Sequence, residues 1–280
     1  MNDLIGKKHT LEDEAFAIQH MRRSSSSAMP RAHSHSFYEL YCLLEGERVY
    51  LMNGKVYTAQ KGDVVVVVPH DLHSTASSQV EYFERVLIHF TPAFLRGEDE
   101  RLLQLPPFQE STLLRIPGKE QPEIERLLVQ MVAECKEEQP FSDQYVRHLL
   151  AELLIRLNRM HAVSPAAPGS NHPMHQKVSE ITTYIHSHYR EALTLEQLAK
   201  QFYISPAYLS RVFLRLTGIH IGEYVRVVRI REAQKLLRTT RLKVHVIAEQ
   251  VGFEHISHFN KTFKKVAGIA PVRYRQTHNY

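Results

Sequence analysis

The chain has 280 residues, with 35 Lys+Arg against 30 Asp+Glu (a formal charge of +5), 43% hydrophobic and 23% charged residues. Those values describe an ordinary globular protein with room for two cores, and they exclude disordered and fibrous classes. The longest apolar run, Val64–Pro69, is too short to cross a bilayer, Cys42 and Cys135 cannot build a disulfide framework, and the first residues carry neither a basic n-region nor an apolar h-region, so the expected location is the cytoplasm with no membrane partner.

In chain order, Ser24–Ser27 is a low-complexity patch expected to be a mobile loop. The stretch from about Phe37 to Phe90 reads as β structure. Phe37–Leu44 is rich in aromatic and aliphatic residues, Val64–Val68 is an unbroken β-branched run, and Gly46, Gly62-Asp63 and Pro69 punctuate the strands. Asn53-Gly54 sits between Val49–Met52 and Lys55–Ala59, the pattern of a tight hairpin. Short strands at this spacing favour a sandwich or barrel, assigned to residues 1–92.

After Pro92 the period becomes helical. Ile124, Leu127, Leu128, Met131, Val132 and Cys135 form one apolar stripe. Leu150, Leu153, Leu154 and Leu157 form another, in a helix beginning near Ser142. Residues 93–162 are therefore expected to be a helical spacer, with the second helix a candidate dimer surface. Residues 163–173, rich in Pro, Ala, Gly and Ser, are the expected linker. Residues 174–280 read as entirely helical. Thr194 to Gln197 has capping-box form, Ser205-Pro206 opens a helix that Gly218 closes, and a long helix is expected over Ile221–Arg238. A further short helix over Val244–Val251, a turn at Gly252-Phe253 and a helix to about Ala267 follow. Charge divides along the same line: residues 171–280 carry 17 Lys+Arg against 7 Asp+Glu, and the preceding residues carry 18 against 23. A basic C-terminal third on an acidic front suggests a polyanion-binding module.

That basic third contains one unit written twice. Leu209, Val212, Phe213, Leu216 and Gly218 are echoed fifty positions on by Phe259, Thr262, Phe263, Val266 and Gly268; Leu198-Ala199 is echoed by Ile247-Ala248 and Tyr224 by Tyr274. Each copy is a short helix, a tight turn and a second helix, the helix-turn-helix arrangement. With the core slots matched, the outward slots pair as Ala207/Ser257, Tyr208/His258, Ser210/Asn260, Arg211/Lys261, Leu214/Lys264 and Arg215/Lys265. Small or polar residues come first and basic ones a turn later. A helix entering a major groove of double-stranded DNA uses its side chains in this way. A merely solvated face is the duller alternative, which tandem copies in a basic segment disfavour.

The stretch Leu195–Arg275 resembles the DNA-binding domain of AraC/XylS-type transcription regulators. The resemblance is carried by Ser205, Leu209-Ser210-Arg211, Phe213, Thr217-Gly218, Tyr224, Arg229, Ala233, Leu236-Leu237, Ile247-Ala248, Val251-Gly252-Phe253, Phe259, Phe263-Lys264-Lys265, Gly268, Pro271 and Tyr274-Arg275. It implies two helix-turn-helix units joined by a long helix and reading successive major grooves. The base-reading residues it implies are Ala207, Ser210 and Arg211 in the first unit, and Ile256, Ser257, Asn260 and Lys261 in the second; with the outward slots of the two helices, the expected DNA-binding residues are Ser205, Ala207, Tyr208, Ser210, Arg211 and Arg215, and Ile256, Ser257, His258, Asn260, Lys261 and Lys264. Tyr203 departs from the pattern, standing where Gly252 supplies the glycine usual in such turns.

The front region holds a second constellation, His33, His35 and Glu39, then Gly46, with His73 further on. On an unbulged strand His33, His35 and Glu39 would share one face, and Phe37 and Tyr41 would join them. Two imidazoles and a carboxylate, with His73 returning from a later strand, could ligate Fe, Mn, Ni or Zn. The pattern resembles the first cupin motif; the segment from Gly62 to His73 resembles the second loosely, since Asp71 stands where Gly is usual and no Asn follows His73. Three readings follow: a small-molecule sensor using His33, His35, Phe37, Glu39, Tyr41 and His73; a metal-dependent cupin enzyme; or buried, mutually satisfied side chains. Attachment to an AraC-type domain favours the sensor, without catalysis, for a sugar or related metabolite. The expected fold is α+β multidomain: a cupin-like β-barrel with a helical spacer, then an all-α domain of two helix-turn-helix units. The expected function is an effector-controlled transcription activator acting as a homodimer with RNA polymerase as partner. An effector-independent regulator is the alternative among binding proteins.

Overall fold

A single long strand organises the first half of the chain. In the computed structural model, which describes residues 4–24, 33–77, 80, 82–137, 139–163 and 173–278, residues Tyr38–Met52 run as one strand, β4. Three strands precede it, β1 (Leu4–Ile5), β2 (His9–Leu11) and β3 (Phe16–Arg23); β5 (Lys55–Gln60), β6 (Val64–Val67), β7 (His73–Ser77), β8 (Phe83–Phe90) and β9 (Thr112–Leu114) follow. The first half of β4 pairs with β6 and β8, and its second half pairs with β5 and β7. Gly46, expected to end a strand, instead lets β4 change partners: it has φ +87°, next to a register shift between Leu43 and Glu45, and a Cβ there would lie 2.1 Å from the Tyr82 carbonyl oxygen. The strands run β1-β3-β8-β4-β6-β9, with β2, β5 and β7 as branches, a path that does not return on itself. The cupin-like sheet is therefore folded over by β4 but is not a closed barrel.

The Asn53-Gly54 hairpin forms as expected, both residues taking positive φ (+47° and +82°) between the paired Met52 and Lys55. The strands β1 to β3 were not anticipated; β3 is half-buried along much of its length and lacks clean alternation.

The two faces of the sheet have different partners. Leu40, Cys42, Val64, Val66, Ile88 and Phe90 pack with α2 (Gln121–Glu137) and α3 (Ser142–Val163) in one core. Tyr41, Leu43, Tyr50, Met52, Val65 and Val67 form a second core on the opposite face. Residues 93–162 are thus not a separate spacer. They begin with α1 (Pro92–Leu95), return β9 to the sheet edge beside β6, and belong to the same compact unit, Met1–His175. The leucine stripe of α3 is spent in this core, Leu150, Leu153, Leu154 and Leu157 all being fully buried. Cys42 and Cys135 are buried free thiols, each pushed up to about 12 by burial. Most of the expected linker (164–172) and of the Ser24–Ser27 patch lies outside the described residues.

The second unit, Gln176–Tyr280, is helical. It comprises α4 (Pro173–His188), α5 (Leu195–Gln201), α6 (Pro206–Thr217), α7 (Ile221–Thr239), α8 (Val244–Gln250), α9 (Ile256–Ala267) and α10 (Pro271–His278), its first helix starting just before the division. Both hydrogen bonds of the Thr194–Gln197 capping box are present. Ser205 caps α6 by accepting from the Tyr208 amide, and Gly218 and Gly268 close α6 and α9 at φ +74° and +78°. The central helix α7 packs against α6, α8, α9 and α10. Around it Phe259 and Phe263 are fully buried with Ile230, Leu237, Ile247 and Tyr274, each phenyl contributing roughly 1.5–3 kcal/mol by burial.

Candidate nucleic-acid interface and effector site

The two repeats present matching outer faces because equivalent slots of each face its core. On α6, Leu209, Val212, Phe213 and Leu216 point inward; Ala207, Tyr208, Arg211 and Arg215 are exposed, as is the capping Ser205, while Ser210 is half-buried. On α9, Phe259, Thr262 and Phe263 point inward, and Ile256, Ser257, His258, Asn260, Lys261 and Lys264 are all exposed. Tyr208 and Ile256 are among the few large apolar side chains left in solvent, 38% and 43% exposed. The Arg211 guanidinium lies 5.7 Å from the centre of the Tyr208 ring, a contact that orders both side chains. Lys265 differs from its neighbours in pairing with Glu223 of α7 at 3.2 Å.

The departure at Tyr203 has a geometric explanation. Tyr203 and Gly252 occupy the same left-handed position in the two turns, φ +56° and +91°. The Tyr203 side chain is 95% exposed, so it meets only the backbone cost. Gly252 is covered: a Cβ there would stand 2.8 Å from the Arg190 carbonyl oxygen and 3.1 Å from the Arg229 guanidinium. Arg229 also donates to the Tyr189 and Glu191 carbonyls, both at 2.7 Å, tying α7 to the segment after α4.

In the first unit the inner face of the folded sheet gathers polar groups. Glu39 is 1% exposed. Its Oε2 lies 2.9 Å from His89 Nε2 and 3.4 Å from His35 Nε2, and its Oε1 lies 4.0 Å from His73 Nε2. His33 forms a bridge to His73, exchanging backbone hydrogen bonds at 3.0 Å, and the imidazoles of His33, His35 and His73 lie within 4.8 Å of one another. The expected single unbulged strand is not what aligns them. Ser36 and Phe37 form a bend, β4 begins only at Tyr38, and the histidines converge because the chain folds back along β7. Phe37 stacks on His35 with ring centres 3.9 Å apart. Tyr41 lies deeper on the same face as Glu39, in contact with Tyr50 at 5.2 Å and beneath the Arg85 guanidinium at 5.3 Å.

Burial acts to raise the Glu39 pKa, yet His35 and His89, aimed at its oxygens, and the nearby His73 outweigh it and hold the carboxyl well below the usual range. Burial pushes His73 down to about 4, and the Tyr41 phenol up to about 12. The Tyr50 hydroxyl is buried without a hydrogen-bond partner among the described residues, a state with a cost that a polar ligand relieves, whereas the Tyr41 hydroxyl faces Arg48. Sequence reasoning missed His89, Arg85 and Tyr50. His89 is legible only once β8 is placed beside β4, in register with Glu39.

Residues 20–154 match the family described as an AraC-like ligand binding domain, and residues 198–277 match a helix-turn-helix domain family. The chain belongs to the AraC family of transcription regulators. This AraC-family chain is 25% identical over 277 residues to the transcriptional regulator YfiF of Bacillus subtilis (strain 168), covering 95% of this chain and 86% of that one. It is 24% identical over 272 residues to the transcriptional activator RhaR of Escherichia coli (strain K12), covering 95% of each. Among solved structures, the C-terminal domain of AraT, a response regulator from Geobacillus stearothermophilus, is 36% identical over 37% of this chain and 87% of that one, with a TM-score of 0.36. The AraC-family chain thus joins a ligand-binding domain to a helix-turn-helix DNA-binding domain. Its relatives are transcription regulators, and among the described residues no helix is long and apolar enough to cross a membrane.

Proposed function

We propose that the chain is a cytoplasmic, effector-responsive transcription activator that binds DNA through the exposed faces of α6 and α9. The observation that carries this reading is the duplication itself: two helices with equivalent cores present exposed Arg211 and Lys261 at equivalent outward positions. Ser205, Ala207, Tyr208, Ser210, Arg211 and Arg215 contact one major groove, and Ile256, Ser257, His258, Asn260, Lys261 and Lys264 contact the next. Their different chemistry gives each chain an asymmetric site with two unlike half-contacts. The activator name of the relative RhaR supports the sign of regulation and RNA polymerase as a partner.

The effector is a small polar molecule, a sugar or related metabolite, held on the inner face of the sheet by residues among His33, His35, Phe37, Glu39, Tyr41 and His73. The unpartnered phenol of Tyr50 supports a hydroxyl-rich ligand there. Homodimerisation through the first unit is supported by Val129, Phe141 and Tyr145 on and beside α2 and α3, which are 66%, 74% and 44% exposed.

The test begins with duplexes that the purified full chain selects from a random-sequence pool. Arg211→Ala and Lys261→Ala are each expected to weaken binding to the selected site by about 1–3 kcal/mol, roughly 5- to 150-fold, and to relax preference at separate positions. Unchanged affinity in both variants overturns the groove assignment. A thermal-shift screen against sugars and related metabolites tests the effector reading, since a ligand of the native state raises apparent stability; no shift by any compound favours an effector-independent regulator.

A further inference from the structure

The effector face carries a positive charge to which the fold gives no counter-charge. Arg85 stands on β8 in register with Leu43 of β4 and Met21 of β3, so its side chain leaves the sheet on the same face as Tyr41. Its Nη2 donates to Gln19 Oε1 at 3.3 Å and lies 3.7 Å from Met21 Sδ. Gln19 is fixed in that orientation, because its Nε2 donates to the Gly6 carbonyl at 3.0 Å and leaves Oε1 for Arg85. Arg85 Nη1 is buried and has no hydrogen-bond partner among the described residues. The hydrogen-bond and ring contacts of this guanidinium are thus with neutral groups, the Tyr41 ring at 5.3 Å included. Glu39, on the same face, turns its oxygens instead to His89 and His35, at 2.9 and 3.4 Å. The Tyr41 ring also meets Tyr50, at 5.2 Å, and Tyr50 is fully buried with its hydroxyl unpartnered among the described residues. Arg48, 3% exposed, brings a second guanidinium to this face, 4.6 Å over the ring of Phe83, two residues from Arg85 on β8.

We propose that the effector carries a carboxylate, held by Arg85 Nη1 and the Tyr50 hydroxyl, and is therefore a small hydroxylated organic acid rather than a neutral sugar. The inference rests on the reading of this face as the effector site. A neutral sugar offers hydroxyls to a buried phenol but no charge to a guanidinium. A carboxylate answers both, since its oxygens accept a charge-assisted hydrogen bond from the guanidinium and a second bond from the phenol. One negative charge is the better match: a phosphate ester would bring up to two into a face that already holds Glu39, and like charges raise the cost of each other's ionisation. The same donors make the site selective. A ligand without the acid group leaves Arg85 without a counter-charge, and a buried polar group left unpaired is what rejects the wrong ligand most strongly.

The test titrates the full chain by calorimetry, at constant ionic strength, with probes matched but for the acid group: galacturonate against galactose, gluconate against glucitol, and glycerate against glycerol. At least one acid is expected to bind roughly tenfold or more tightly than its neutral partner. Arg85→Met should abolish that preference, and Tyr50→Phe should weaken binding of the acid by roughly tenfold. Because the Tyr50 hydroxyl has no partner among the described residues, Tyr50→Phe should leave the melting temperature of the ligand-free chain unchanged or raised, which separates a ligand contact from a structural one. A neutral probe that binds as tightly as its acid overturns the carboxylate inference and leaves the effector reading in place. A chain that answers no acid overturns the inference as well, and its response to the neutral probes then decides whether the effector reading falls with it. Preference for the acid that survives both substitutions overturns the assignment to Arg85 and Tyr50. Should Arg85→Met unfold, Tyr50→Phe decides alone: wild-type affinity for the acid overturns the site.

Discussion

Replacing Gly252 with alanine separates backbone chirality from packing, because its counterpart Tyr203 is an internal control. An L-residue in the left-handed region costs about 1–2 kcal/mol, of which roughly 0.4–1 kcal/mol is recovered through the stiffer unfolded chain. At Gly252 a second cost is added, because the new Cβ would lie 2.8 Å from the Arg190 carbonyl oxygen. That atom is backbone, held in the segment that Arg229 clamps, and overpacking of this kind typically costs 1–3 kcal/mol. The expected loss for Gly252→Ala is therefore about 2 kcal/mol or more. For Tyr203→Gly the relief of backbone strain and the added unfolded-state entropy offset each other, and a side chain that is 95% exposed forfeits no packing, so the change is within about 0.5 kcal/mol of zero. Hydrogen exchange of the full chain, followed on peptides covering α8 and α9, reads this locally. A loss of about 2 kcal/mol appears as a roughly 30-fold drop in protection, with α5 and α6 little affected by either substitution. Equal, small effects at both positions would refute the role given to the Arg190–Arg229 cover.

The salt dependence of DNA binding should distinguish Lys264 from Lys265. Lys264→Ala is expected to lower the slope of log K against log salt by about 1, and Lys265→Ala by less, because Glu223 at 3.2 Å already offsets Lys265; equal slopes in anisotropy titrations would contradict this. The second unit should lose stability on mild acidification through His186. Its imidazole contacts the Tyr224 hydroxyl at 2.9 Å, and burial, opposed by the more distant Glu232, pulls its pKa below the usual 6.5. A histidine kept neutral by the fold contributes stability that is complete above the unfolded pKa and is lost as pH falls through and below it. Thermal melts of the full chain from pH 7.5 to 5 should show a smaller acid-induced drop in His186→Gln than in wild type.

The second unit was readable almost residue by residue, and the first was not, for a physical reason. Several boundaries in α5 to α9 rest on local chemistry: the Thr194–Gln197 box, the Ser205 cap, Pro206 at the first helical position, and Gly218 and Gly268 at positive φ. Helical contacts are also short in sequence, so the period that marks Leu209, Val212, Phe213 and Leu216 as core also marks Arg211 and Arg215 as outward. Tyr203 departed from the pattern, and it could do so because its side chain projects into solvent.

The sheet depends on pairings distant in sequence. That Glu39 faces His89 follows from the β4–β8 register, fifty residues apart, and no local spacing encodes it. Gly46 illustrates the ambiguity: a glycine between two apolar runs predicts a turn, and here it supplies the bulge that lets one strand serve two sheets. The motif His33, His35 and Glu39 is visible because it is short, but shared strand parity does not account for its convergence. Those groups meet through the bend at Ser36-Phe37 and the bridge from His33 to His73. The site is thus set by the bend and by the pairing of β4 with β8 and of His33 with His73, not by the parity of one strand.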